Sequence, residues 1–106
     1  MSFKEKQEKL IERLLEKTLH GQISWSEGIR SGVYQTSFPN STIKIEENEE
    51  DDICISIFNE EAKLIESFRE TDLPPIYSMK FRKLYENARR IALGAEKVLD
   101  DVLALL

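Results

Sequence analysis

Residues 33–58, VYQTSFPNSTIKIEENEEDDICISIF, decide the fold. Strand side chains point alternately to two faces, so a strand with one buried face shows apolar residues at every second position. Tyr34, Thr36 and Phe38 alternate with Gln35 and Ser37, Ile43 and Ile45 flank Lys44, and Ile53, Ile55 and Ile57 enclose Cys54 and Ser56. Pro39, Asn40 and Ser41 supply turn chemistry between the first two runs. The stretch predicts a hairpin of Val33–Phe38 and Thr42–Glu46, then a third strand, Ile53–Phe58, with its isoleucines facing one core. Branched side chains pack well on a pleated surface, which makes isoleucine at alternate positions strong evidence.

Downstream, Asn59, Glu60 and Glu61 form a turn into a fourth strand, Ala62–Phe68, with Ala62 at a position that often carries a glycine of positive φ. Leu64, Ile65 and Phe68 do not share one face, so at least one large side chain leaves the core side. Thr71 to Pro75 break the sheet, and either Asp72 or Ser78 can cap a second long helix. In that helix Phe81, Leu84, Tyr85, Ala88, Ala92, Ala95, Leu99, Val102 and Leu106 recur in helical phase across Gly94, where a break into two helices is favoured.

Upstream, Ser2 and Glu5 have the spacing of a capping box, in which each side chain satisfies a free backbone N–H of the first turn. Phe3, Leu10, Ile11, Leu14, Leu15 and Leu19 form one apolar stripe, and Gly21 is a terminator, which predicts a helix over Phe3–Leu19. Gln22 to Gly32, with two glycines, reads as a loop anchored by Trp25 at the core edge. The resulting class is α+β: an N-terminal helix, a four-stranded antiparallel meander, and a C-terminal helix or helix pair packed on one sheet face. A chain of 106 residues, 41 % hydrophobic and 33 % charged, fits one domain spanning 1–106.

The charge is segregated. Glu46 to Asp72 holds eleven acids against Lys63 and Arg69, whereas Ile76 to Leu93 holds Lys80, Arg82, Lys83, Arg89 and Arg90 against Glu86. Local field rather than mean charge decides what such segments attract. The candidate partner contacts are therefore Glu46, Glu47, Glu49, Glu50, Asp51 and Asp52 in the acidic run, and Arg82, Lys83, Arg89 and Arg90 on the basic helix. The acidic run has no glycine to turn a backbone inward around calcium, so a solvated hairpin loop is the simpler reading, and no metal or cofactor is expected. The acidic total, and the absence of a glycine-rich loop or recognition helix, speak against nucleic acid. His20 follows a helix terminus, where a cation is favoured, and Cys54 has no paired base, so neither marks a catalytic centre. The single cysteine and the absence of a signal peptide imply a cytoplasmic setting, and the apolar runs are too short to cross a bilayer.

The segments TSFPNSTIKI (36–45), ICISIFNEEAKLIESF (53–68) and LYENARRIALG (84–94) resemble small prokaryotic helix, meander, helix proteins that have no settled activity. The resemblance implies a fold and carries over no functional residue.

These readings point to a non-enzymatic interaction or regulatory module that docks a protein partner, or a second copy of itself, through its helical end and charged sheet edge. Leu103, Leu105 and Leu106 supply more apolar surface than one buried stripe uses. The charge blocks either compensate each other within a monomer or pair across a two-fold axis, and the loop tip, Glu46 to Asp52, is expected to lie beyond the reach of the chain's own helix. An alternative is a small enzyme or anionic-ligand site in a shallow groove between Trp25, Tyr34, Tyr85 and the basic helix. A further alternative is an acidic mimic of nucleic acid, which needs carboxylates spaced like phosphates.

Overall fold

Ser2 and Glu5 close the capping box that starts α1 (Phe3–Leu19): the Glu5 N–H donates to Ser2 Oγ at 3.1 Å and the Ser2 N–H donates to Glu5 Oε1 at 3.3 Å. A computed structural model describes residues 1–106. α1 ends at His20, after which Gly21 takes the left-handed conformation, φ +70°, and its N–H reaches back to the Thr18 carbonyl. The buried face of α1 is Ile11, Leu14 and Thr18, with Leu10 and Leu15 packed beside it, whereas Phe3 and Leu19 at its two ends are exposed. Thr18 replaces Leu19 on that face because its hydroxyl accepts the Trp25 indole N–H at 3.0 Å, pinning the following loop to the helix.

The meander has five strands in sequential antiparallel order, not four: β1 (Ser26–Glu27), β2 (Val33–Phe38), β3 (Ser41–Glu47), β4 (Ile53–Asn59) and β5 (Leu64–Arg69). The added strand lies inside the segment read as a loop and pairs Ser26 with Gln35 and Glu27 with Tyr34. Two residues are too few to show a period. Gly28 then lets the chain close onto β2, its N–H donating to the Val33 carbonyl at 2.7 Å where a Cβ would sit 3.1 Å from that same oxygen.

Two hairpins share one design. Asn48 Oδ1 accepts the N–H groups of Glu50 and Asp52, and Asn59 Oδ1 accepts those of Glu61 and Lys63, all at 2.9–3.0 Å. Each turn then passes through a left-handed residue at φ 62°, Asp51 in the first and Ala62 in the second. The asparagine side chain holds the turn, so alanine occupies a site that favours glycine. Ala62 thereby belongs to the turn, and β5 begins at Leu64 rather than Ala62. A bulge between Ile57 and Phe58 shifts the register there, leaving Leu64 and Ile65 exposed and only Phe68 of that strand in the core.

Two short 3-10 turns, Glu70–Asp72 and Pro75–Tyr77, lead into α2 (Ser78–Ala92), which no side chain caps. Asp72 instead accepts the Arg69 N–H at 2.8 Å, closing the end of β5. α1 and α2 lie side by side on one sheet face, where Ile11, Leu14, Phe81, Leu84 and Ala88 meet Tyr34, Ile43, Ile45, Ile53, Ile55 and Phe68. The Phe68 and Phe81 rings meet edge to face, centroids 6.0 Å apart. The opposite sheet face has no helix over it and mixes short polar side chains with larger ones, Ser37 facing Thr42 at 3.2 Å and Lys44 Nζ 4.7 Å above the Phe58 ring.

Gly94, at φ +63°, breaks the stripe and starts α3 (Ala95–Leu105) in a new direction. No residue of α3 is buried, so the second member of the C-terminal pair does not pack on the sheet. The Cα radius of gyration is 14.5 Å, against about 13 Å for a compact chain of this length. A projecting helix accounts for the excess.

Candidate functional site

Arg82 ties the two charge blocks together. Rising from the first turns of α2, its guanidinium donates to Glu47 Oε2 at 2.8 Å, to Glu70 Oε1 at 2.9 Å and to the Asp51 carbonyl. The hairpin tip is therefore within reach of the chain's own helix, contrary to the expectation from sequence. Glu70 is buried and its Oε2 has no partner, so Arg82 supplies the only charge compensation that carboxylate receives.

The other predicted contacts divide in two. Glu46 pairs with Arg30 at 2.9 Å, and Asp52 is buried with its Oδ2 accepting the Thr71 hydroxyl at 3.0 Å. These two, with Glu47 and Arg82, are bound up in the fold. The carboxylates of Glu49, Glu50 and Asp51, and the cations of Lys83, Arg89 and Arg90, form no ion pair and face solvent. Three carboxylates on one hairpin tip fall short of an array, and nowhere do three His, Cys, Asp or Glu side chains converge to hold a metal ion.

Cys54 lies beside this network, with the Asn48 amide 3.7 Å from its Sγ. Burial first, then the Glu46 and Asp52 charges, push its thiol up from the ordinary value, so it stays protonated at neutral pH. A protonated thiol is a poor nucleophile. Trp25 and Tyr34 are enclosed in the core, and the Tyr85 hydroxyl donates to the Gly32 carbonyl at 2.8 Å. The Tyr34 and Tyr85 rings meet at 5.5 Å, so these aromatics fill space rather than line a groove.

Two of the exposed apolar clusters lie on regular elements, β5 and α3, and they are not equivalent. Leu64 and Ile65 sit on the edge strand β5, whose Ser67 and Arg69 N–H groups are occupied by the Glu66 and Asp72 carboxylates, both at 2.8 Å. An edge blunted in this way resists pairing with another strand. α3 has no such protection. Val98, Leu99, Val102, Leu103, Leu105 and Leu106 are 55, 62, 47, 67, 87 and 96 % exposed.

On a 3.6-residue repeat Ala95, Leu99, Val102 and Leu106 form the centre of the α3 face, with Val98, Leu103 and Leu105 beside them. Glu96 and Asp100 border the Leu103 side, and Lys97 and Asp101 pair with each other at 3.1 Å on the far side. Where α3 leaves α2, Ile91, Gly94, Ala95 and Leu99 floor an elbow groove of about 640 Å³, with Asn87, Arg90 and Glu96 on its rim. The surplus leucines of the last turn were visible in the sequence; that the whole helix is uncovered was not.

No family model matches the chain, and neither a curated protein nor a solved structure matches it. No helix is long and apolar enough to cross a membrane.

Proposed function

We propose that the protein is a protein–protein interaction module and that the apolar face of α3 is its docking surface. One observation carries this: an eleven-residue helix, with leucine or valine at most of its apolar positions, has no buried residue. Isolated helices shorter than about 12–15 residues are marginal in water, so α3 gains its stability from cover that the monomer does not provide. Its acidic flank, Glu96 and Asp100, disfavours an anionic lipid surface as that cover, since interfacial helices carry lysine and arginine there. The unpaired thiol of Cys54 accords with a cytoplasmic setting. Arg82, Glu47 and Glu70 act in support by holding α2, and with it the elbow, in place.

The test is a double substitution, Leu99→Glu with Val102→Glu. The variant is expected to melt within a few degrees of the wild type when both are dilute, because the face lies outside the core. In a native cell extract the wild-type chain should run in an assembly larger than itself, and the variant should run as the free chain. A variant that melts like a core mutant would mean that α3 belongs to the fold, and equal native sizes would remove the docking role.

A further inference from the structure

The elbow and the helix beyond it form a groove and a ridge on the same chain, and we infer that the partner docking on α3 is a second copy of this protein, related by a two-fold axis. The inference rests on the docking role proposed for α3 and names its occupant.

Area supports this first. Full burial of a valine or leucine removes roughly 60–120 Å² from water, by the energy per side chain and per unit area of apolar surface. Six such residues at their present exposures offer on the order of 400 Å² per chain. Two copies hide about twice that, and with the polar remainder of a homodimer interface the total reaches roughly 1,200 Å², the lower bound of specific interfaces. A contiguous apolar face of this size falls within the roughly 300–600 Å² of the largest patch on a typical monomer, a patch that is often functional.

Charge supports it independently. The groove rim carries Arg90 and Glu96, neither in an ion pair, and the α3 ridge carries Asp100 farther along the Glu96 border, also unpaired. A ridge that enters the groove with Asp100 on its border brings a free carboxylate to the unpaired Arg90 of the rim. Because one chain presents both, a two-fold arrangement satisfies both at once: each α3 lies in the other copy's elbow, with Leu99 and Val102 against Ile91 and Ala95 and the acidic border beside Arg90. Lys97 and Asp101 stay on the solvent side, already paired with each other. This gives the basic end of α2 a role that the monomer does not, since Arg89 and Arg90 form no ion pair within the fold.

Sedimentation equilibrium of the purified full chain, from micromolar to millimolar concentration, tests the inference, with circular dichroism confirming that each variant folds. The wild type should be a dimer, and Leu99→Glu with Val102→Glu should weaken it about 100-fold or more, as expected for residues at an interface centre. Arg90→Glu should weaken it about ten-fold, Asp100→Arg by a similar factor, and the two together should recover most of the loss. That recovery is specific to Asp100 of one copy meeting Arg90 of the other. A dimer indifferent to the α3 substitutions, or one in which the swapped charges give no recovery, would overturn the arrangement. A monomer throughout would overturn the second copy as occupant; if the wild-type chain still runs in a larger assembly in extract and the α3 variant does not, the docking role stands with a different protein. A monomer with no such assembly removes both.

Discussion

Phe81, Leu84 and Ala88 of α2 are completely enclosed, whereas Leu99, Val102 and Leu106 of α3, which continue the same helical row, are from about half to almost fully exposed. Both helices are amphipathic, and they are separated by two residues, Leu93 and Gly94. Periodicity therefore states which side of a helix is apolar without stating that anything covers it. Five strands spaced about 4.8 Å apart make a sheet roughly 20 Å wide, and two helices of about 10 Å diameter fill that width. α1 and α2 take it up, and no room is left on that apolar face of the sheet for a third helix. The left-handed glycine then turns α3 away from the sheet edge.

The largest effect that separates the two helices is a truncation in each. Leu84→Ala should lower stability by about 2–5 kcal/mol, while Leu99→Ala in the dilute monomer should stay within about 0.5 kcal/mol. Equal losses in urea unfolding would erase the distinction.

Next in size is the contrast between two arginines of α2. Arg82→Met leaves the buried Glu70 carboxylate uncompensated and should cost about 2–3 kcal/mol, less than for a fully buried pair because Arg82 is half exposed. Arg90→Met should cost less than about 0.5 kcal/mol in thermal melts of the monomer. A neutral Arg82→Met would mean that the network does not hold the hairpin to the helix.

The two junctions of α2 give the smaller effects. At Gly94 an added Cβ meets nothing within 4 Å, so Gly94→Ala is strained only by its φ, a cost of about 1–2 kcal/mol in the left-handed region. Because α3 is free to move, that strain should be relieved by redirecting the helix. Small-angle scattering should show a changed radius of gyration with little change in melting temperature, and a large fall in melting temperature would show α3 to be anchored.

At the other junction the Arg69 N–H, and then its guanidinium, hold the Asp72 carboxyl below the usual carboxylate range. A depressed folded value stabilises above the unfolded carboxylate value, about 4, and that contribution is lost as pH falls through the folded one. Asp72 is half exposed, so the effect should stay below about 1 kcal/mol. Melting curves of the wild type and Asp72→Asn should differ at neutral pH and converge in strong acid; parallel curves at every pH would deny the linkage.

The α+β class, the boundaries of α1 and the isoleucine faces of β3 and β4 were legible because each rests on a local period or cap that a few residues express. β1 was not, since two residues have no period and its pairing is set by the remote Gln35 and Tyr34. The Asn59 turn was half legible: the anomaly at Ala62 was plain, but its resolution needed an asparagine oxygen to hold two N–H groups. Among the candidate contacts, sequence grouped ten residues by charge, and folding divided them. Which carboxylates meet Arg82 depends on how α2 crosses the sheet, a long-range fact that no local pattern encodes.

Hydrogen exchange on the chain diluted until it sediments as a monomer bears most directly on the claim that α3 lies outside the core. Amides of α2 from Phe81 to Ala88 should open only with global unfolding, while those of α3 from Val98 to Leu105 should exchange orders of magnitude faster, as expected for a short uncovered helix. Protection of α3 equal to that of α2 in the monomer would make α3 part of the cooperative core and refute its role as a free docking helix.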